Sequence, residues 1–116
     1  MHHPTQHTPA SEAARTALIE EAEAATGILP PHATLVGLEE RLRAEIQAAV
    51  DIVRIQADRL NRGTTDWYQR DCALAEARHA TEEGLGAGLR SAAVHVARLG
   101  RCLRILDTFV QVKPKA

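Results

Sequence analysis

Residues 89–110 read LRSAAVHVARLGRCLRILDTFV, and their spacing decides the fold class. Leu89, Ala92, Val96, Leu99, Leu103, Leu106 and Val110 recur at alternating steps of three and four. That is the a/d seam of a helix laid against a neighbouring helix. Arg90, Arg98, Arg101 and Arg104 fall on the other side of the wheel, so one face is apolar and the other basic.

The segment before it begins at Asp66, with Gln69 three positions later, in the pattern of a capping box; Thr64 and Thr65 are alternative caps. Cys72, Ala73, Ala75, Ala77 and Ala80 are small and allow close helix approach. Gly84, Gly86 and Gly88 end this helix and permit a tight reversal. A short connection makes the two helices antiparallel neighbours. With the turn near Ala87, residues whose numbers sum to about 174 lie level on ideal helices. Cys72 then faces the level of Cys102, His79 that of His95, Glu76 that of Arg98, and Asp71 that of Arg104. Trp67, Tyr68 and Phe109, the three aromatic residues of the chain, collect at the open end.

Toward the N-terminus, Leu38, Leu42, Ile46, Ala49, Val53, Ala57 and Leu60 form a straight helical stripe. The reading is a long helix capped by Thr34, ending near Asn61-Arg62 and stopped by Gly63, roughly 40 Å in length. Pro30-Pro31 mark a connector. Ser11 caps a first helix that runs to about Thr26. Its acids, Glu12, Glu20, Glu21 and Glu23, read as a solvated face, with packing on the basic side of the last helix as the alternative. Residues 1–10 read as a disordered leader and 111–116 as a frayed tail. His3 in the third position suits chelation of copper or nickel; the plainer reading is an incidentally His-rich tail.

One helical domain over 11–110 accommodates the 116 residues, and no strand signal appears. The expected fold is therefore all-α, a four-helix up-down-up-down bundle with a C-terminal antiparallel hairpin. Alanine is the commonest residue, so the core is built from Leu, Ile, Val and Ala. A net charge of −1 carries no bias toward nucleic acid or anionic membrane. Two cysteines make no disulfide framework, no signal peptide is legible, and no apolar run reaches the ~20 residues that cross a bilayer. A cytoplasmic protein with reduced thiols is the expectation, with no cofactor.

Residues 73–78, ALAEAR, the Gly-rich turn, then 91–101, SAAVHVARLGR, and 103–106, LRIL, resemble a small helical domain-of-unknown-function family of high-GC Gram-positive bacteria. The similarity spans about residues 34–110. It implies a helical fold and, since members are sometimes labelled natural product biosynthesis proteins, a biosynthetic setting. It brings no catalytic residues. The chain departs from the family pattern at Gly100, where Ala is usual, and at Trp67-Tyr68.

Three constellations are candidates for chemistry. Cys72, His79, His95 and Cys102 are metal-ligand types, but Cys72 and His79 stand about 10.5 Å apart along a helix, which allows two half-sites rather than one centre. Trp67, Tyr68, Asp71, Arg104 and Phe109 would line a small-molecule site at the open end; the alternative is an aromatic cap on the bundle. The arginine face of the last helix would meet phosphate or an acidic helix, or remain solvated. No nucleotide-binding loop, nucleophile elbow, zinc-protease helix or CxxC occurs. The first reading is thus a non-enzymatic interaction or accessory protein with a protein partner or itself as a homodimer, presenting an exposed apolar stripe. The second is a small-molecule binder or enzyme of a biosynthetic pathway, with its cleft between the hairpin and the long helix.

Overall fold

A computed structural model describes residues 11–112. It contains four helices: α1 (Glu12–Ala24), α2 (His32–Asp58), α3 (Thr65–Glu82) and α4 (Leu89–Val110). The leader, its His3 site and residues 113–116 lie outside the described residues.

Each helix start follows from local chemistry. Ser11 Oγ accepts from the Ala14 N–H at 3.2 Å and opens α1. Pro31, not Thr34, is the N-cap of α2, three residues earlier in the chain. Proline's fixed φ and missing N–H do no harm at a helix start, so Thr34 lies within the first turn. The helix ends at Asp58 rather than near Arg62; Leu60 closes a turn on the Ala57 carbonyl, and Gly63, at φ 89°, redirects the chain. Thr64, not Asp66, caps α3: its backbone is extended and its Oγ1 accepts from the Trp67 N–H at 3.3 Å. Asp66 instead places negative charge in the first turn, where the helix dipole favours it.

The seam on α4 is buried as its spacing predicts. Val96, Leu99, Leu103 and Leu106 have no exposed surface. Burying each such side chain contributes about 1.5–3 kcal/mol. Ala93, His95, Gly100 and Cys102 are buried as well, because α4 packs against all three other helices. Its broadest interface is with α2. Paired residues show the direction: His95 meets Glu39, and the Phe109 carbonyl meets Gln56. Numbers rise together, so α2 and α4 run parallel. In a square up-down bundle they would be the diagonal pair. Here α1 and α3 flank them, α1 barely touches α2, and α1 and α3 do not meet.

The α3–α4 register agrees with the level-matching at Glu76 and Arg98, whose Oε1 and Nη2 are 2.9 Å apart. Arg98 Nη1 also donates to Glu83 Oε1 at 2.8 Å. The expected Asp71–Arg104 neighbourhood is not formed. Arg104 turns to α1, where its Nε donates to Glu23 Oε2 at 3.0 Å.

Of the α1 acids, Glu12, Glu20 and Glu21 are exposed, as a solvated face requires, while Glu23 packs on the basic side of α4 through Arg104. Leu18, Ile19 and Ala22 are buried, and Arg15 Nε donates to Asp107 Oδ1 at 2.9 Å. Close approach to α4 depends on Gly100. A Cβ there would stand 2.8 Å from the Ala22 Cβ and 3.5 Å from the Ile19 carbonyl oxygen. Both Cβ atoms are fixed to backbone, so neither can rotate away.

Gly100→Ala is therefore expected to destabilise the chain by a net ~1 kcal/mol in urea denaturation. Overpacking costs about 1–3 kcal/mol, and improved helix propensity returns up to ~1 kcal/mol. Adding Ala22→Gly should recover part of the loss through a favourable coupling. A Gly100→Ala chain as stable as the parent would contradict the close approach.

Candidate functional site

The open-end residues do not form one cleft. Trp67 and Tyr68 are adjacent on α3 and meet edge to face, with ring centroids 5.1 Å apart, but they face different surfaces. Trp67 and Asp71 border a groove between α2 and α3. Tyr68 and Phe109 border an apolar depression between α3 and α4. Arg104 belongs to the α1 side, bonded to Glu23. A polar relay closes the bundle end instead. Arg70 Nε donates to Gln56 Oε1 at 3.1 Å, Gln56 Nε2 donates to the Phe109 carbonyl at 3.0 Å, and the Arg70 guanidinium stacks 4.8 Å from the Phe109 ring centroid. Three helices are tied together there by neutral and cation–π contacts.

The four metal-ligand types are likewise separated. Cys72 and Cys102 are both free thiols, one exposed and one buried. His79 is exposed on α3, whereas His95 is buried and turned toward α2. Among the described residues no three His, Cys, Asp or Glu side chains converge to hold an ion. Burial pushes the Cys102 thiol up from its ordinary value, which disfavours the thiolate needed for ligation or attack.

His95 carries a different role. Its Nε2 lies 2.9 Å from Glu39 Oε2, and the Arg43 Nη2 approaches the same oxygen at 3.4 Å. His95 is 6% exposed and its Nδ1 has no hydrogen-bond partner among the described residues. Arg43 is held by two carbonyls at the end of α3, Thr81 at 2.6 Å and Glu83 at 2.7 Å. Glu39, Arg43 and His95 thus join α2 to both helices of the hairpin. Sequence reading singled out His95 but not Glu39, because the partner lies 56 positions away on a helix whose facing was unknown.

Two surface features remain. The first is the α2–α3 groove of about 810 Å³, bordered by Arg43, Arg54, Arg62 and Arg78, with Val50 and Leu74 among its apolar residues. The second is a trough over the outer face of α4, between α1 and α3. It consists of two depressions, about 420 and 560 Å³, that share Glu76 and Ile105. Val94, Ala97 and Arg101 line one part, Tyr68, Cys72 and Phe109 the other. Ion pairs edge the trough. The Arg98 and Arg104 guanidiniums hold the carboxyls of Glu83 and Glu23, respectively, below the usual carboxylate value. Arg90 and Arg101, the other members of the basic face, make no ion pair among the described residues.

Fold and surface define a small all-α protein that presents two open grooves on a tightly packed helical layer. No helix among the described residues is long and apolar enough to cross a membrane. The chain belongs to DUF6415, a family of unknown function, whose model matches residues 8–113. No curated protein and no solved structure matches it.

Two outcomes are expected from the buried groups. Glu39→Ala strands the imidazole with neither nitrogen bonded and should lower unfolding free energy by about 1–3 kcal/mol. His95→Leu removes the buried polar ring itself and should cost less, the opposite order being evidence against the pair. In native protein, iodoacetamide should alkylate Cys72 readily and leave Cys102 protected until the chain unfolds, as peptide mass mapping would reveal.

Proposed function

We propose that this is a non-enzymatic helical interaction or accessory protein whose α4 trough receives an amphipathic helix of a protein partner. One observation carries the reading. Tyr68, Val94 and Ile105 are bulky and apolar, yet 55%, 53% and 41% exposed, and they lie along a single trough walled by α1 and α3. Apolar residues exposed singly are ordinary; aligned in a groove between two helices they match helix-in-groove recognition. Val94 and Ile105 are eleven residues apart, about 16 Å, or three turns of a partner helix.

Charge selects the occupant. Arg101 sits between those residues without an ion pair. A second copy docked on the same face about a two-fold axis near Arg101 would set two guanidiniums against each other. An acidic side chain on a different partner would neutralise it instead. The partner is therefore an amphipathic helix with apolar residues at i, i+4 and i+7 and an acidic residue beside them. The resemblance of residues 34–110 supports a setting in natural-product biosynthesis, in the cytoplasm of a high-GC Gram-positive bacterium.

Helical peptides selected from a displayed random library against the whole chain test this. They are expected to show that pattern and to bind Ile105→Glu at least tenfold more weakly. Arg101→Glu should shift selection toward Lys-bearing peptides. Binding indifferent to both substitutions would remove the proposal. A dimer in sedimentation velocity that Ile105→Glu dissociates would assign the face to a second copy.

A further inference from the structure

The α2–α3 groove lies on a different surface from the α4 trough and has its own chemistry. From the geometry we infer that it is a binding site for a slender amphiphile with an oxyanion head, a carboxylate or a phosphate ester, and an apolar tail directed toward Trp67.

The groove's volume, about 810 Å³, is that of a small-molecule site. Four arginines border it against two aspartates, Asp58 and Asp71, and Arg43 is already paired with Glu39 at 3.4 Å, which leaves an excess of one positive charge. The excess is not spread evenly. The contacts Arg43–Thr81 and Arg70–Gln56 fix an antiparallel register in which residue numbers on α2 and α3 sum to about 125. Arg54 is then level with Asp71, and Asp58 with Trp67, so opposite charges share the Trp67 half. Arg78 is level with Gln47, one turn from Arg43, and no carboxylate of the groove stands at that level. Arg43 is committed to the Thr81 and Glu83 carbonyls and to the Glu39 carboxylate. Arg78 and Arg54 are exposed and make no hydrogen bond or ion pair among the described residues. They project from facing helices at either side of an apolar strip containing Val50 and Leu74.

That arrangement has a direction. An oxyanion at Arg78 leaves its tail on Val50 and Leu74, within reach of Arg54, and brings its end to the indole. Trp67 is half-buried and packed under Arg62, 6.0 Å from the ring centroid, so the ring wall is already formed. From the level of Arg78 to that of Trp67 is eleven residues, about 16 Å. A saturated chain of about ten carbons fits this length when extended, at a little over ~1 Å per methylene, and its burial against the apolar strip favours binding. Neither unpaired arginine has a structural duty that explains its place.

Trp67 is the only tryptophan, which makes the native chain its own reporter. Decanoate, decyl phosphate and decanol would be titrated below their micelle concentrations while Trp67 emission is followed. Saturable change is expected with the two anions, at least tenfold weaker for decanol, and weakening as salt rises. Arg78→Gln and Arg54→Gln together should weaken both anions at least tenfold. These exposed, unpaired side chains can be removed with thermal stability unchanged. Preference between carboxylate and phosphate identifies the head group. Equal response to decanol, indifference to the double substitution, or no saturable response to either anion would overturn the site. Retention of peptide binding by the double variant separates this result from the α4 trough.

Discussion

Helix α4 buries its Val96–Leu99–Leu103–Leu106 seam only by lying alongside α2, and that parallel contact sets the positions of everything else. The central pair is broad enough to take a helix on each flank. The Gly-rich turn delivers α3 to one side in antiparallel register. The short α1, with Gly100 beneath Ala22, closes on the other. Because α1 and α3 stand apart, the outer face of α4 stays open between them. Between the packed, antiparallel α2 and α3, the cationic groove runs past Val50 and Leu74. Both surfaces are consequences of a flattened packing of four helices rather than a square one.

Polar contacts specify this arrangement more than they strengthen it. Exposed pairs such as Arg98–Glu76 contribute little, roughly 0–1 kcal/mol each. Their value lies in register: Arg98 meets Glu76 and Glu83 only when the hairpin turns where it does. The buried His95–Glu39 contact and the Arg70–Gln56–Phe109 relay act at opposite ends of the α2–α4 interface. A parallel slip of one helix by a turn would break both, and it would also expose apolar seam residues.

The two surfaces differ in kind. The trough over α4 is lined by Tyr68, Val94 and Ile105 with balanced ion pairs at its edges, a suitable floor for another helix. The groove between α2 and α3 is richer in arginine and walled by an indole. A helical accessory protein with a separate ligand groove has the means to couple the two through α3, whose opposite faces border both.

Helix number, helix polarity and the hairpin level were legible because they depend on periodicity and turn chemistry near in sequence. The seam of α4, the Ser11 cap, the Gly-rich reversal and the Glu76–Arg98 proximity all follow from spacing alone. The candidate site was legible only as a set of residue types. Trp67, Tyr68, Asp71, Arg104 and Phe109 share one end of the hairpin, but height along a helix says nothing about azimuth. Trp67 and Tyr68 are successive residues, turned about 100° apart, and so they serve different surfaces. Arg104 had two carboxylates within its reach in principle, Asp71 and Glu23, and the docking of α1 chose Glu23. The sequence by itself determined four amphipathic helices and their alternating direction. Which helices touch was decided by tertiary packing, because a glycine at 100 admits α1 to a contact that no periodicity records.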